Sequence, residues 1–165
     1  MFKNILVVVD DKPASLLAIS QGVEIARVND GQILFFHWLP DFNGMPIGMN
    51  EATISNSLEY EREVRTEAHT VLQKASSMAK AAGVRSSRVL GTGRATNEAQ
   101  CVADVADRRH CELIVVATER RNALIRLIGG SIVPGLISKA KMPVMVCQYE
   151  HKSGKRSNRL ATRML

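Results

Sequence analysis

The chain has 165 residues and 45% hydrophobic content, the size and balance of one globular domain with a proper core. Its longest apolar runs, such as Ile5–Val9, are only strand-length, which excludes a transmembrane helix, and no basic-then-apolar leader precedes them, so a cytoplasmic protein is expected. The net charge of +6 belongs to the end of the chain: Lys152, Lys155, Arg156, Arg159 and Arg163 lie in a stretch without acid, leaving +1 for residues 1–150.

The first element is a strand over Asn4–Val9, almost continuously Val, Ile and Leu, as strands covered on both faces are. Asp10 follows it. A carboxylate at the carboxyl end of a central strand can accept hydrogen bonds from a ribose or an adenine; Asp10-Asp11-Lys12-Pro13 is equally an ordinary turn or helix cap. A helix over Ser15–Val28 is predicted to bury Leu16, Ile19, Val23 and Ala26. A second strand, Gln32–Leu39, runs into a Gly-, Pro- and Met-rich loop, Asp41–Asn50, placed to cover the carboxyl edge of the sheet. A long helix over about Ile54–Ala82 carries Val64, Ala68, Leu72 and Ala75 inward and stops at Gly83.

The third strand is read as Val84–Leu90, with Gly91-Thr92-Gly93 as the turn after it. That turn lacks the third glycine of a dinucleotide fingerprint, since Thr96 stands in its place. Thr96 is instead the expected cap of a helix over Asn97–Arg109, with Val102, Val105 and Ala106 inward. The fourth strand, Leu113–Ala117, enters an arginine-dense segment, Thr118–Arg126, that ends in Gly129-Gly130-Ser131. Ser131 can cap the last helix, Ile132–Ala140, with Pro134 tolerated in its first turn. The final strand is Pro143–Gln148, and residues 151–165 read as a disordered basic tail. Strands alternating with helices argue for βαβ units and a parallel sheet.

A buried strand feeding a loop that ends in Gly-Ser at a helix start is where such folds bind phosphate. The helix leaves unpaired N–H groups and a partial positive charge facing the loop. The flanks add specificity. Leu113–Ala117, Arg121, Leu124, Arg126, Gly130-Ser131 and Pro143-Val144-Met145-Val146 together resemble the signature region of the universal stress protein family. There a strand is followed by Gly, two residues, Gly, nine residues and Gly-Ser. Counted back from Gly130-Ser131, the first two glycine positions fall on Ala117 and Arg120. Ile5–Asp10 resembles that family's opening strand with its adenosine-binding aspartate, and Phe35–Trp38 the end of its second strand. Gly93 to Ala106, leading into Cys111–Val116, resembles its approach to the signature loop. The resemblance spans residues 2–148.

The resemblance implies a single α/β domain over residues 1–150: an open five-stranded parallel sheet in order 3-2-1-4-5 with helices on both faces. Such a domain is Rossmann-like, of the adenine nucleotide alpha-hydrolase kind. It implies a cytoplasmic stress-response and signalling protein without turnover, and a homodimer formed through the last strand, Pro143 to Gln148. It further implies an adenine nucleotide, ATP or AMP with Mg, with Asp10 on the ribose and with Val9 and Trp38 beside the base. Ala117, Thr118, Arg120, Arg121, Gly130, Ser131 and Ile132 would form the phosphate side. Arg120 in place of glycine has two physical outcomes. Its guanidinium either fills the phosphate volume, giving an interaction scaffold that binds no nucleotide, or clamps a phosphate through charge-assisted hydrogen bonds.

Other chemistries lack their residues. Cys101, Cys111 and Cys147 have no metal-ligand spacing and read as reduced, mostly buried thiols. His37, His69, His110 and His151 are scattered, and no nucleophile elbow or P-loop lysine is present. An ATP pyrophosphatase would need a Ser-Gly-Gly loop after the first strand or a His-x-Gly-His pair, and neither occurs. The tail lacks aromatics for base stacking and is expected to be a solubilising end rather than a nucleic-acid or membrane contact.

Overall fold

The computed structural model describes residues 1–40, 51–94, 97–119 and 132–149, with the backbone alone for Pro40 and residues 51–58. The elements run β1 (Asn4–Val8), α1 (Pro13–Val28), β2 (Gln32–Pro40), α2 (Glu51–Ala81), β3 (Arg85–Gly93), α3 (Glu98–Arg108), β4 (Leu113–Glu119), α4 (Ile132–Lys139) and β5 (Val144–Tyr149). All strands pair parallel in the order β3-β2-β1-β4-β5, as expected. None of the described helices is long and apolar enough to cross a membrane.

The Val/Ile/Leu runs become strands because both sheet faces are buried. Alternate residues point to opposite sides, so a continuous apolar run supplies two cores at once. Ile5, Val7, Ile33, Phe35 and Val115 meet α1 and α2, whereas Leu6, Val8, Leu34, Phe36 and Val116 meet α3 and α4. Each side chain so enclosed contributes about 1.5–3 kcal/mol.

Of the four helix-to-strand connections at the amino edge, the first three are short and closed alike. Gly31 N–H donates to the Ala26 carbonyl (2.8 Å), Val84 N–H to Ala79 (2.9 Å) and Cys111 N–H to Ala106 (2.8 Å). Each reaches five residues back, with a left-handed residue just before it: Asp30, Gly83 and His110. Gly83 is therefore the predicted stop signal. The carboxyl edge differs, with two connections of ten residues or more, 41–50 and 120–131.

Three expectations are corrected. On α1, Leu16 is 46% exposed and the packed face is Ala14, Ser15, Ala18, Ile19, Gly22 and Ala26. Small residues let the helix lie close to the sheet, and a Cβ at Gly22 would stand 2.6 Å from Val7 Cγ2. Gly91-Thr92-Gly93 is not a turn: it continues β3 and pairs with Trp38, Leu39 and Pro40. Its glycines make room for aromatic rings of the neighbouring strand, since a Cβ on Gly91 would fall 2.3 Å from Phe36 Cζ. The third concerns α3, which starts at Glu98 with Asn97 in the N-cap position, its side chain making no capping bond. Thr96, the Asp41–Asn50 loop and the 151–165 tail lie outside the described residues.

Gly91→Ala therefore destabilises the fold by about 1–3 kcal/mol, because Phe36 is fully buried and cannot swing away. Urea unfolding measures the loss. Combined with Phe36→Leu, the total loss falls below the sum of the two single changes.

Candidate functional site

In open parallel sheets, ligands meet the carboxyl ends of the strands. Here those ends carry Val9 and Asp10 after β1, Trp38 in β2, Ala117 and Thr118 in β4, and Ile132 at the start of α4. Val9 is 1% exposed and its side chain belongs to the α1/α2 core. Its backbone is what faces the edge: its N–H donates to the Phe36 carbonyl (2.8 Å) and its carbonyl lies 2.8 Å from His37 Nδ1. A carbonyl only accepts, so Nδ1 carries a hydrogen and donates it to Val9.

Asp10 is locked from three directions. Its N–H donates to Ser15 Oγ (2.8 Å), the Ser15 hydroxyl donates back to Oδ1, and Lys12 N–H donates to Oδ1 (3.0 Å). The turn reading of Asp10-Asp11-Lys12-Pro13 is thus correct for one oxygen. The other, Oδ2, has among the described residues only the exposed Lys12 ammonium at 3.8 Å, an ion pair of little strength in water. Asp10 is therefore both a turn anchor and a half-exposed acceptor at the end of the central strand.

Glu98, in the first turn of α3, completes an acidic corner. Burial and the nearby charge of Asp10 push its carboxyl above the ordinary glutamate value, with Lys12 pulling partly back. Sequence reading missed Ser15, Glu98 and His37. Ser15 is buried and looks like any small residue of a helix start, and the nearness of Glu98 to Asp10 and the His37 bond to Val9 need the sheet order to be known.

Trp38 is 9% exposed and packs in the α3/α4 core, its ring stacked on Phe36 at 6.5 Å and 17°. Its Nε1 is buried and has no hydrogen-bond partner among the described residues. Ala117 and Thr118 sit inside β4, paired with Cys147 and Gln148, so the strand runs two residues past its predicted end. The first missing glycine thus falls in regular strand, where a methyl fits against the α1/α2 core. Ile132 is half-buried against the α3/α4 core. Arg120, Arg121, Gly130 and Ser131 lie outside the described residues.

The thiols are held toward their protonated form. Burial raises Cys111 to about 11 and raises Cys101 and Cys147 as well. Among the described residues no group of three metal-ligating side chains occurs.

Residues 1–148 match the family model described as the universal stress protein family. The chain belongs to that family. A universal stress protein of Methanocaldococcus jannaschii is 26% identical over 154 residues, covering 92% of this chain and 85% of the relative. The solved universal stress protein of Archaeoglobus fulgidus is 25% identical and superposes with a TM-score of 0.62, covering 88% of this chain and 93% of its own. A universal stress protein of the same organism, solved in complex with dAMP, is 23% identical with a TM-score of 0.61 over 88% and 97% of the two chains. The Rossmann-like sheet of this universal stress protein is the fold those structures share.

The raised Glu98 carboxyl gives the stability of the protein a pH signature. The folded state holds that proton more tightly than the unfolded chain, so stability falls as pH rises from the ordinary value of 4.5 through the raised one. Glu98→Gln removes this fall. Unfolding midpoints of variant and parent converge below pH 4.5 and separate above it, with the variant the more stable.

Proposed function

We propose that this universal stress protein binds an adenine nucleotide at the carboxyl edge of its sheet and signals by occupancy, without turnover. The observation that carries the reading is Asp10, anchored at the end of the central strand with Oδ2 still open to a ligand hydroxyl. A ribose offers two such hydroxyls, and hydrogen bonds to a carboxylate contribute about 1.5–3 kcal/mol. The dAMP bound by the Archaeoglobus fulgidus structure supports an adenine nucleotide as the ligand class.

ATP and AMP are the candidate ligands. The residues at hand fit the ribose and base end of such a molecule: an open carboxylate, an indole and a half-buried histidine. Gly130, Ser131 and the arginines of the 120–131 segment would take the phosphates. Mg would be held through phosphate oxygens, because Asp10 and Glu98 alone are too few hard ligands for it.

Homodimerisation through the last strand belongs to the same proposal. β5 is an edge strand whose Val144, Met145 and Val146 stay half-buried, and an unpaired apolar edge calls for a partner. Ligand occupancy, or an unidentified partner protein, would then alter the dimer surface. A cytoplasmic setting is consistent with three free cysteines.

An equilibrium titration with labelled ATP tests the reading. Micromolar binding is expected, weakened about ten- to hundredfold in Asp10→Ala and less in Asp10→Asn, which keeps the turn. Absence of ATP and AMP binding by the parent protein would leave the alternative, a scaffold in which Arg120 fills the phosphate volume.

A further inference from the structure

Among the described residues, the indole N–H of Trp38 is a buried side-chain donor without a hydrogen-bond partner. Such a group is uncommon in a folded protein, because leaving a buried donor unpaired is unfavourable. Its direction follows from the two glycines beneath the ring. A Cβ built on Gly91 would meet Trp38 Cε3 at 3.1 Å, and one built on Gly93 would meet Cη2 at 3.0 Å and Cζ2 at 3.5 Å. Gly93 lies two residues nearer the carboxyl edge than Gly91 on a strand parallel to β2. The Cζ2 side of an indole is the side that carries Nε1. The N–H edge of Trp38 therefore faces the carboxyl edge of the sheet, where Asp10 holds its open oxygen.

The notch that receives the ring is specific. Gly93 has φ +150°, a conformation side chains rarely adopt, and any side chain at position 91 would displace the ring. Phe36 stacks on the indole with ring centroids 6.5 Å apart and 17° between the planes. The result is a rigid donor, held by backbone it could not otherwise approach.

We propose that Trp38 Nε1–H is the base-selecting group of the site: it donates a hydrogen bond to a ring nitrogen of the adenine. This inference rests on the adenine nucleotide reading and deepens it. The sheet order places β2 two strands from β4, about 10 Å at the usual spacing, with β1 between them. A nucleotide with its ribose at Asp10 and its phosphates toward α4 presents its base on the β2 side. The ring nitrogens of adenine are acceptors, and a base atom without a lone pair would leave the indole N–H buried and unpaired. Discrimination by an unpaired donor is large for its size.

The test uses the full chain and four ligands: ATP and its 1-deaza, 3-deaza and 7-deaza analogues, each replacing one ring nitrogen by C–H. The parent protein is expected to bind one analogue at least roughly tenfold more weakly than ATP, and Trp38→Phe to lose that discrimination while retaining the aromatic ring. Trp38 is the sole tryptophan, so its indole N–H gives one resonance in a proton–nitrogen NMR spectrum. That resonance should move downfield with ATP and fail to do so with the weakest analogue, a readout that needs no variant. If ATP binds but all three analogues bind equally well, or the indole resonance stays in place, the donor role is overturned and the nucleotide reading stands. If ATP and AMP do not bind the parent protein, both fall.

Discussion

Parallel pairing is the constraint on which the rest of this structure depends. A parallel strand cannot be joined to its neighbour by a hairpin, so the chain crosses over through a helix each time and returns to the same edge. All strands then end at one side. Asp10, His37, Trp38, Thr118 and Ile132 meet there although up to 122 residues separate them in sequence. The amino edge, by contrast, is made of short connections, three of them closed by a left-handed residue and a five-residue back-bond.

Close approach to the sheet is achieved by removing side chains rather than adding them. Gly22 lets α1 settle on Val7, Gly91 takes the Phe36 ring, and Gly135 brings α4 against Ala99, where a Cβ would stand at 2.7 Å. A glycine within α4 weakens that helix locally by roughly 1 kcal/mol. The contact with α3 offsets this loss and holds the start of α4 near the carboxyl edge. The same device in β3 fixes the aromatic pair.

The strands and their order were legible because apolar runs on both faces leave little else for the chain to do, and because the signature region resembles a family with this sheet. What sequence reading misplaced were the positions where bulk, rather than periodicity, decides. Leu16 satisfies helical spacing yet faces solvent, because alanine and glycine gave a closer fit. Gly91-Thr92-Gly93 has turn composition but serves as the floor for rings on another strand, a relation that local sequence does not carry. Of the candidate site, Asp10 and Trp38 were legible as residues at the ends of strands. The Ser15 lock on Asp10, the His37 tether to Val9 and the acidic neighbour Glu98 required the fold.

Electrostatics assigns an orientation to a nucleotide bound as proposed. Asp10 and Glu98 form an acidic corner beside the end of β1, where burial first and the Asp10 charge second raise the proton affinity of Glu98. A polyphosphate laid over that corner would meet like charge with only the exposed Lys12 to offset it. Its phosphates are therefore displaced toward β4, where the sequence supplies Arg120, Arg121 and Arg126. The uncharged base would then lie over β2, against an indole whose N–H has no partner among the described residues. Carboxylate and indole thus suit the ribose and base of such a nucleotide, and reversing the ligand would set its phosphates over β2 and its base away from the indole.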